Sequence, residues 1–268
     1  MKELRKYKLT TCVIPKNMSS IMAAIFCFLW NSKEFTAANK TIITEGAHGR
    51  FCESKNEYPS MEHLINATGT TLDDWTMLLV VRDPLDRFLS GFLDKCILNT
   101  VGQNIVDYCY GCGKDVACVL EKVYEHAWSY ASAPAETRNN LVNLENYHLF
   151  PQNWHCSMEL FYSRYTTLKY YSDSIRKNET MREIANVLKK ANVPSSEIEY
   201  VLHNTNIYND HSTIHSSDRL FYHDIITSSS KLLDLVHKIY YYDYEIFGYD
   251  FDYKDARSKY SRTLVSNE

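Results

Sequence analysis

The sequence predicts an α/β fold in which helices flank a parallel sheet. Two observations support this. A strand, a tight loop and a buried helix follow one another near the N-terminus, and a continuous apolar run, Met77–Val81, follows further along. The order strand, loop, buried helix begins many nucleotide-binding α/β folds. The second is typical of a strand buried on both faces of a parallel sheet. The predicted sheet is therefore P-loop-like.

The composition suits one large globular domain. The chain has 268 residues, of which 45% are hydrophobic and 23% are charged, so extensive disorder is excluded. A net charge of −4 argues against non-specific binding of nucleic acid. We expect a single domain over residues 1–256 and a polar, poorly ordered tail over residues 257–268.

Local signals place the elements in order. Tyr7–Ile14 alternates and then becomes apolar, which predicts a strand, and Ile21–Trp30 lacks a polar face, which predicts a buried helix. The β-branched run Thr41–Thr44 predicts a second strand. Asp83 as N-cap and Pro84 in the first turn predict a helix to about residue 99. The remaining predictions are helices at Val116–Tyr130, Glu179–Asn192 and Asp218–Tyr242 (broken at Ser228–Ser230) and a strand at Leu168–Tyr171.

The first candidate site is the loop between the first strand and the first helix, Pro15, Lys16, Asn17, Met18, Ser19 and Ser20. Backbone N–H groups and the helix dipole favour an anion at such a position. Lys16 adds a positive charge, and the two serines add hydroxyl donors. The loop is not a Walker A motif, because the glycines of that motif are missing. In isolation, a capping loop with an exposed lysine is the simpler interpretation.

The second candidate site is the segment Arg82–Gly91. Arg82 lies at the carboxyl end of a predicted strand, where ligands bind in open α/β sheets. Ser90 lies two turns into the following helix, so Arg82 and Ser90 are placed to converge on one phosphate. In isolation, a surface helix with an N-cap and a salt-bridged arginine explains the segment equally well.

Together the two segments resemble the two signatures with which the sulfotransferase superfamily binds 3′-phosphoadenosine 5′-phosphosulfate (PAPS). Pro-Lys-x-x-Ser-Ser resembles the 5′-phosphosulfate loop. Arg-Asp-Pro-x-x-Arg-x-x-Ser-Gly resembles the 3′-phosphate segment, with Arg82, Arg87 and Ser90 in register. The resemblance implies the PAPS-dependent sulfotransferase fold, with these residues and Pro15–Ser20 holding PAPS.

Two further segments resemble Golgi carbohydrate sulfotransferases, the group that includes chondroitin 4-O-sulfotransferases. His148–Cys156 is similar to that group's His-x-x-Pro-Gln…Cys block, and Tyr240–Tyr249 is similar to its closing Tyr-x-x-Asp-Tyr-x-x-Phe-Gly-Tyr run. The chain especially resembles the large nematode branch. The resemblance implies a glycan acceptor, a glycosaminoglycan or one containing N-acetylgalactosamine, and work in the Golgi lumen or membrane. The loop departs from many members, since it lacks the tryptophan and second lysine that follow their Pro-Lys pair.

The catalytic candidates are chosen by the chemical requirements of sulfuryl transfer. The transfer needs in-line geometry, charge neutralisation on the leaving side and a base for the acceptor hydroxyl, without a metal. We assign the leaving side to Lys16 and the base to His148. Weaker candidates for the base are His155, His48, Glu45 and Asp94.

Other features allow two interpretations. Cys109-x-x-Cys112 with Cys118 suggests zinc, but no second pair follows at finger spacing, so disulfides or buried thiols are favoured among the eight cysteines. Arg219, in the polar stretch His211–Arg219, is either a clamp for sulfate or carboxylate or part of a capped helix start. Of four Asn-x-Ser/Thr sequons, at Asn17, Asn39, Asn66 and Asn178, we expect Asn17 to be unused because it lies in the loop.

Two other function classes stay open. A P-loop-type small-molecule kinase would need a Walker lysine, which is absent, and an acidic magnesium ligand, which Asp83 resembles. A relative that binds PAP or a glycan without catalysis would keep the fold. The apolar stretch Met18–Trp30 is shorter than the about 20 residues that span a bilayer, and the basic start is not followed by an apolar signal region. We expect any membrane anchor to lie outside this chain.

Overall fold

The structure is a computed structural model that describes residues 1–45, 49–98, 108–172, 174–206 and 217–251. The strands in these ranges are β1 Lys2–Leu4, β2 Leu9–Cys12, β3 Thr76–Arg82 and β4 Tyr165–Tyr170. The α-helices in these ranges are α1 Ser19–Trp30, α2 Ser32–Ala37, α3 Met61–Thr68, α4 Pro84–Phe92, α5 Val116–Ser132, α6 Leu144–Leu149, α7 Met158–Phe161, α8 Ser174–Lys190, α9 Ser195–Asn206, α10 Ser217–Ser228 and α11 Ser230–Phe247.

The four strands form one sheet in the order β1-β2-β3-β4. β2, β3 and β4 are parallel, and β1 pairs antiparallel with β2. The predicted α/β class with its mostly parallel sheet is confirmed. Residues 77–82 of β3 are all buried, as the apolar run predicted. The antiparallel β1 was not predicted, because a three-residue strand with two charged residues carries no alternating pattern.

The predicted strand at Thr41–Thr44 is wrong, because this segment is a turn. The backbone N–H groups of Thr44 and Glu45 both donate to the Thr41 carbonyl, at 3.1 and 3.0 Å. The Thr41 N–H donates to the Thr44 hydroxyl at 2.9 Å. Threonine hydroxyls offer the backbone a local partner in place of a strand neighbour, which overrides their β propensity here.

Two of the predicted helix boundaries are confirmed by their caps, whereas α8 begins at Ser174 and not near the predicted Glu179. The Asp83 carboxylate accepts a hydrogen bond from the Asp86 N–H at 2.9 Å, directly before Pro84. α4 gives way at Leu93–Ile97 to a π-helical segment, so the predicted helix is regular only in its first half. The predicted serine break lies between α10 and α11, where the Ser229 hydroxyl caps α11 by accepting from the Leu232 N–H at 3.3 Å.

The chain divides into two compact units, each with its own apolar core. Unit 1 comprises the described parts of residues 1–82 and 153–212, and its core packs α1, including Phe26 and Phe28, against Leu78 and Val80 of the sheet. Unit 2 comprises the described parts of residues 83–152 and 213–268, and its core joins α4, α5 and α11. The single domain over residues 1–256 stays a prediction, and the tail at 257–268 lies outside the described residues.

All eight cysteines lie in the described ranges and form disulfides. The pairs are Cys12–Cys156, Cys27–Cys52, Cys96–Cys109 and Cys112–Cys118. The preference for disulfides over a zinc site at Cys109, Cys112 and Cys118 is therefore confirmed. Disulfides persist in oxidising compartments. Across the described part of the chain, every helix is too short or too polar to cross a membrane.

We expect the Cys12–Cys156 bridge to contribute more stability than any short-range bridge. It closes a loop of 144 residues, whereas Cys112–Cys118 closes one of six. Loop-closure entropy gives about 5 kcal/mol for the long loop and about 2 kcal/mol for the short one. Urea unfolding of the two double alanine variants measures this difference. Equal losses in the two variants would contradict it.

Candidate functional site

The loop that joins β2 to α1 has an unusual backbone. Lys16 and Met18 adopt left-handed conformations, with φ of 71° and 57°. Non-glycine residues seldom adopt this region, and such positions cluster at functional sites. Met18 is the N-cap of α1, yet its thioether does not serve as a cap. The first i to i−4 bond of the helix runs from the Met22 N–H to the Met18 carbonyl at 2.9 Å. The N–H groups of Ser19, Ser20 and Ile21 precede that bond and belong to the first turn of the helix, where N–H groups lack intrahelical acceptors and an anion is favoured.

Arg82 brings the end of β3 to this loop. Its side chain is buried, and Nη1 donates to the Lys16 carbonyl at 3.0 Å. Nη2 donates to the Ser172 hydroxyl at 2.5 Å, and the guanidinium lies 5.2 Å from the centre of the Tyr170 ring. The structure therefore joins Lys16 and Arg82, the two charged residues that the sequence singled out in separate segments. The Lys16 side chain itself is half-buried.

Asn17 attaches the Pro15–Ser20 loop to the sheet through buried hydrogen bonds. It is 1% exposed, its Nδ2 donates to the Val80 carbonyl at 3.1 Å, and its N–H donates to the Ile14 carbonyl at 3.1 Å. The amide nitrogen that a glycan would modify is thus engaged in the core. The asparagines of the other three sequons, at positions 39, 66 and 178, are exposed. Pro15 and Met18 are buried, Ser19 is half-buried and Ser20 is exposed.

Ser172 contacts Arg82 and was not among the residues predicted from the sequence. It is 6% exposed and lies just past the end of β4. Arg82 pairs with Tyr170 in the register of β3 and β4, so Ser172 belongs to the same carboxyl edge of the sheet as Arg82. A signal existed in the sequence, since a polar residue that follows a parallel strand marks this edge.

In unit 2, Arg87 and Ser90 of the predicted 3′-phosphate segment are buried. Arg87 is fully buried, and its Nη1 donates to the Phe150 carbonyl at 2.6 Å. Ser90 is 8% exposed. The phosphate contacts of Arg87 and Ser90 stay predictions. Arg219 is also buried and donates to Asp86 Oδ1 at 2.5 Å, and its role as a clamp for sulfate or carboxylate stays a prediction. Residues 211–216 of its polar stretch lie outside the described residues.

His148 lies in the last turn of α6, and its side chain is half-buried. Nδ1 lies 2.7 Å from the Leu144 carbonyl oxygen, which accepts only from a protonated nitrogen. In the neutral ring the basic lone pair is then on Nε2. The ring meets the Tyr147 ring edge to face, with centroids 5.4 Å apart. This tautomer gives His148 the form that a general base requires.

The weaker candidates for the base differ in their surroundings. Both oxygens of the buried Glu45 carboxylate accept backbone N–H groups, from Phe51 at 3.0 Å and Cys52 at 3.1 Å, which is a structural role. Asp94 pairs with Lys95 at 3.0 Å. His155 is half-buried in unit 1, and His48 lies outside the described residues.

Comparison with known proteins decides the family. Residues 4–250 match the model of the sulfotransferase family, a range that includes every candidate residue above. The chain belongs to the sulfotransferase family. This sulfotransferase is 30% identical over 249 residues to the carbohydrate sulfotransferase chst-1 of Caenorhabditis elegans, covering 91% of this chain and 74% of that protein. It is 29% identical over 249 residues to the uncharacterized protein C18B2.2 of the same nematode, covering 91% and 67%. No solved structure matches. The predicted resemblance to nematode sulfotransferases is confirmed.

We expect Ser172→Ala to destabilise the Arg82 contacts of this sulfotransferase. The substitution removes an acceptor from a buried, charged donor, which costs about 1–3 kcal/mol of unfolding free energy. The matched control is Ser129→Ala, which removes an exposed hydroxyl bonded within a helix and changes stability by less than about 0.5 kcal/mol. Chemical denaturation of both variants measures the difference. An unchanged midpoint for Ser172→Ala would show that its hydroxyl is dispensable.

Proposed function

We propose that this sulfotransferase transfers a sulfuryl group from PAPS to a hydroxyl of a glycan, with a chondroitin-type glycosaminoglycan as the acceptor. The observation that carries the proposal is the 3.0 Å hydrogen bond from Arg82 Nη1 to the Lys16 carbonyl. This hydrogen bond connects the Pro15–Ser20 loop, which we propose binds the 5′-phosphosulfate, to Arg82, which we propose binds the 3′-phosphate. Membership of the sulfotransferase family supports the reaction.

The loop residues fit the charged end of the donor. The backbone N–H groups at the start of α1 face outward along the helix axis, with the left-handed Lys16 and Met18 shaping the turn before them. In our proposal these amides and the hydroxyls of Ser19 and Ser20 hold the 5′-phosphosulfate. Arg82 and Ser90 hold the 3′-phosphate. Arg82 has a further effect, because its bond to Lys16 fixes the backbone on which the catalytic ammonium is mounted.

Each catalytic side chain has one task. PAPS supplies the sulfuryl group when it is bound. The Lys16 ammonium stabilises negative charge where the 5′-phosphate leaves. The Nε2 lone pair of His148 accepts the proton of the acceptor hydroxyl, while Nδ1–H stays on the Leu144 carbonyl. Charge neutralisation comes from side chains and amides, so the scheme needs no metal.

The acceptor and the compartment follow from separate features. The His148–Cys156 block resembles that of carbohydrate sulfotransferases, and the relative chst-1 bears that name. Four disulfides suit an oxidising lumen such as that of the Golgi. Both features support a secretory-pathway enzyme that modifies glycans.

A transfer screen tests the proposal. The purified chain is incubated with radiolabelled PAPS and with chondroitin, dermatan, heparan or simple N-acetylgalactosamine glycans. We expect label in chondroitin-type acceptors. Binding of PAP without transfer to any of them would make the protein a non-catalytic relative. Turnover of ATP that depends on magnesium would instead support the kinase alternative.

Lys16→Ala is expected to lower kcat by about 10²- to 10³-fold, because a charge that stabilises the transition state is lost. Lys33→Ala, on the exposed surface of α2, is the matched control and is expected to keep the native rate. Steady-state kinetics with the acceptor identified by the screen measures both. Near-native turnover by Lys16→Ala would remove Lys16 from the mechanism.

His148→Asn is expected to lower kcat by about 10²- to 10⁴-fold, which is the usual contribution of a general base. His203→Asn, at an exposed position of α9, controls for the loss of an imidazole. The measurement is kcat at saturating donor and acceptor, with circular dichroism to check folding. A folded His148→Asn enzyme with full activity would assign the base elsewhere, and His155→Asn would then be assayed.

A further inference from the structure

The turn that follows His148 is held by three buried side chains. α6 ends at Leu149, and Phe150 and Pro151 lead the chain to Gln152. The Tyr240 hydroxyl donates to the Leu149 carbonyl at 2.6 Å. Arg87 Nη1 donates to the Phe150 carbonyl at 2.6 Å. Asp243 Oδ2 accepts the Gln152 N–H at 2.8 Å. We call Arg87, Tyr240 and Asp243 the turn clamp.

The turn clamp supplies hydrogen-bond donors to backbone carbonyls that have no partner within helix α6. The last carbonyls of a helix have no partner within it, and Leu149 and Phe150 follow that rule. Tyr240 and Arg87 supply the missing donors from α11 and α4. All three clamp side chains are fully buried. Burial raises the pKa of the Tyr240 hydroxyl, which therefore stays protonated and donates at physiological pH.

Two of the three clamp contacts involve an ionised group. Hydrogen bonds from a guanidinium or to a carboxylate are shorter and about twice as strong as neutral ones. Burying two such charges is costly, so a simple helix end would be capped more cheaply by a glycine. In this chain, side chains from two helices bond three of the four residues at positions 149–152, which restricts where the backbone next to His148 can lie.

We propose that Arg87, Tyr240 and Asp243 are positioning residues that fix His148 for proton transfer; this inference rests on the proposed function of His148. The imidazole is tied to the helix through Nδ1 and the Leu144 carbonyl, so Nε2 moves with the end of α6. A displacement of about 1 Å at a catalytic group lowers the rate by about 10²-fold. The turn clamp prevents that displacement.

Tyr240→Phe is the primary test, because it removes one hydroxyl and keeps the ring. We expect kcat to fall by about ten- to a hundred-fold, with KM for PAPS unchanged within about two-fold. The matched control is Thr180→Val, which removes another fully buried hydroxyl, bonded to the Lys169 carbonyl at 2.9 Å. The control is expected to lose stability and keep kcat. A native kcat for Tyr240→Phe, or an equal fall in the control, would overturn the inference.

The same substitution in a His148→Asn background separates the clamp from the base. If the clamp acts through His148, Tyr240→Phe produces no further fall in kcat in that background. A full additional fall would overturn the inference, whether or not His148→Asn alone is active. A fully active His148→Asn enzyme refutes the proposed base, and it also overturns the inference.

Asp243 offers a conservative rescue. Asp243→Asn keeps an oxygen that can accept the Gln152 N–H, whereas Asp243→Ala removes it. We expect the asparagine variant to retain at least about ten times the kcat of a folded alanine variant, in line with the loss of one hydrogen bond to a charged group. Equal rates in the two variants would contradict a positioning role for this contact.

The inference stays testable if no acceptor is turned over. The Cε1–H resonance of His148 in the intact protein reports its surroundings directly. We expect Tyr240→Phe to shift and broaden this resonance, and Thr180→Val to leave it unchanged. An unaltered resonance in Tyr240→Phe would overturn the inference independently of any activity.

Discussion

The hydrogen bond from the Arg82 guanidinium to the Lys16 carbonyl is the interaction on which the proposed donor site depends. A buried guanidinium must find acceptors, and Arg82 finds them at Lys16 and Ser172. The acceptor at Lys16 lies in a loop whose left-handed residues would otherwise relax. Because Arg82 lies at the end of β3, its hydrogen bond to the Lys16 carbonyl ties the conformation of the Pro15–Ser20 loop to the position of that strand. Asn17 reinforces the same link through the Val80 carbonyl.

Local chemistry was sufficient to predict much of the fold. The apolar run of β3, the Asp83–Pro84 helix start and the serine break before α11 each act within a few residues, so the sequence shows them directly. The strand prediction for Thr41–Thr44 was wrong because threonine hydroxyls bond the backbone N–H groups within this segment, an effect that β propensity does not include. The antiparallel β1 is held by pairing with β2 rather than by its own pattern.

The sequence predicted those site residues whose charge follows the end of a predicted strand. It did not predict the contacts of charged residues that are buried by tertiary packing. Lys16 and Arg82 were singled out from their positions at strand ends, and the structure joins them. Nothing local shows that Arg87 turns inward to the Phe150 carbonyl or that Asp243 reaches the Gln152 N–H across 91 residues of sequence. These contacts depend on which faces α4 and α11 bury, and that is settled only by the tertiary packing.

The Cys12–Cys156 pair imposes an order on biosynthesis. Cys12 leaves the ribosome long before its partner, 144 residues later, whereas Cys27 and Cys52 are separated by only 25 residues. Strand β2, which leads into the Pro15–Ser20 loop, therefore carries an unpaired thiol while the 144 residues up to Cys156 are synthesised, and the six cysteines between Cys12 and Cys156 offer it wrong partners. Maturation of the chain then depends on exchange between sulfur partners, and a host cell that lacks a disulfide isomerase would accumulate full-length protein with a scrambled loop.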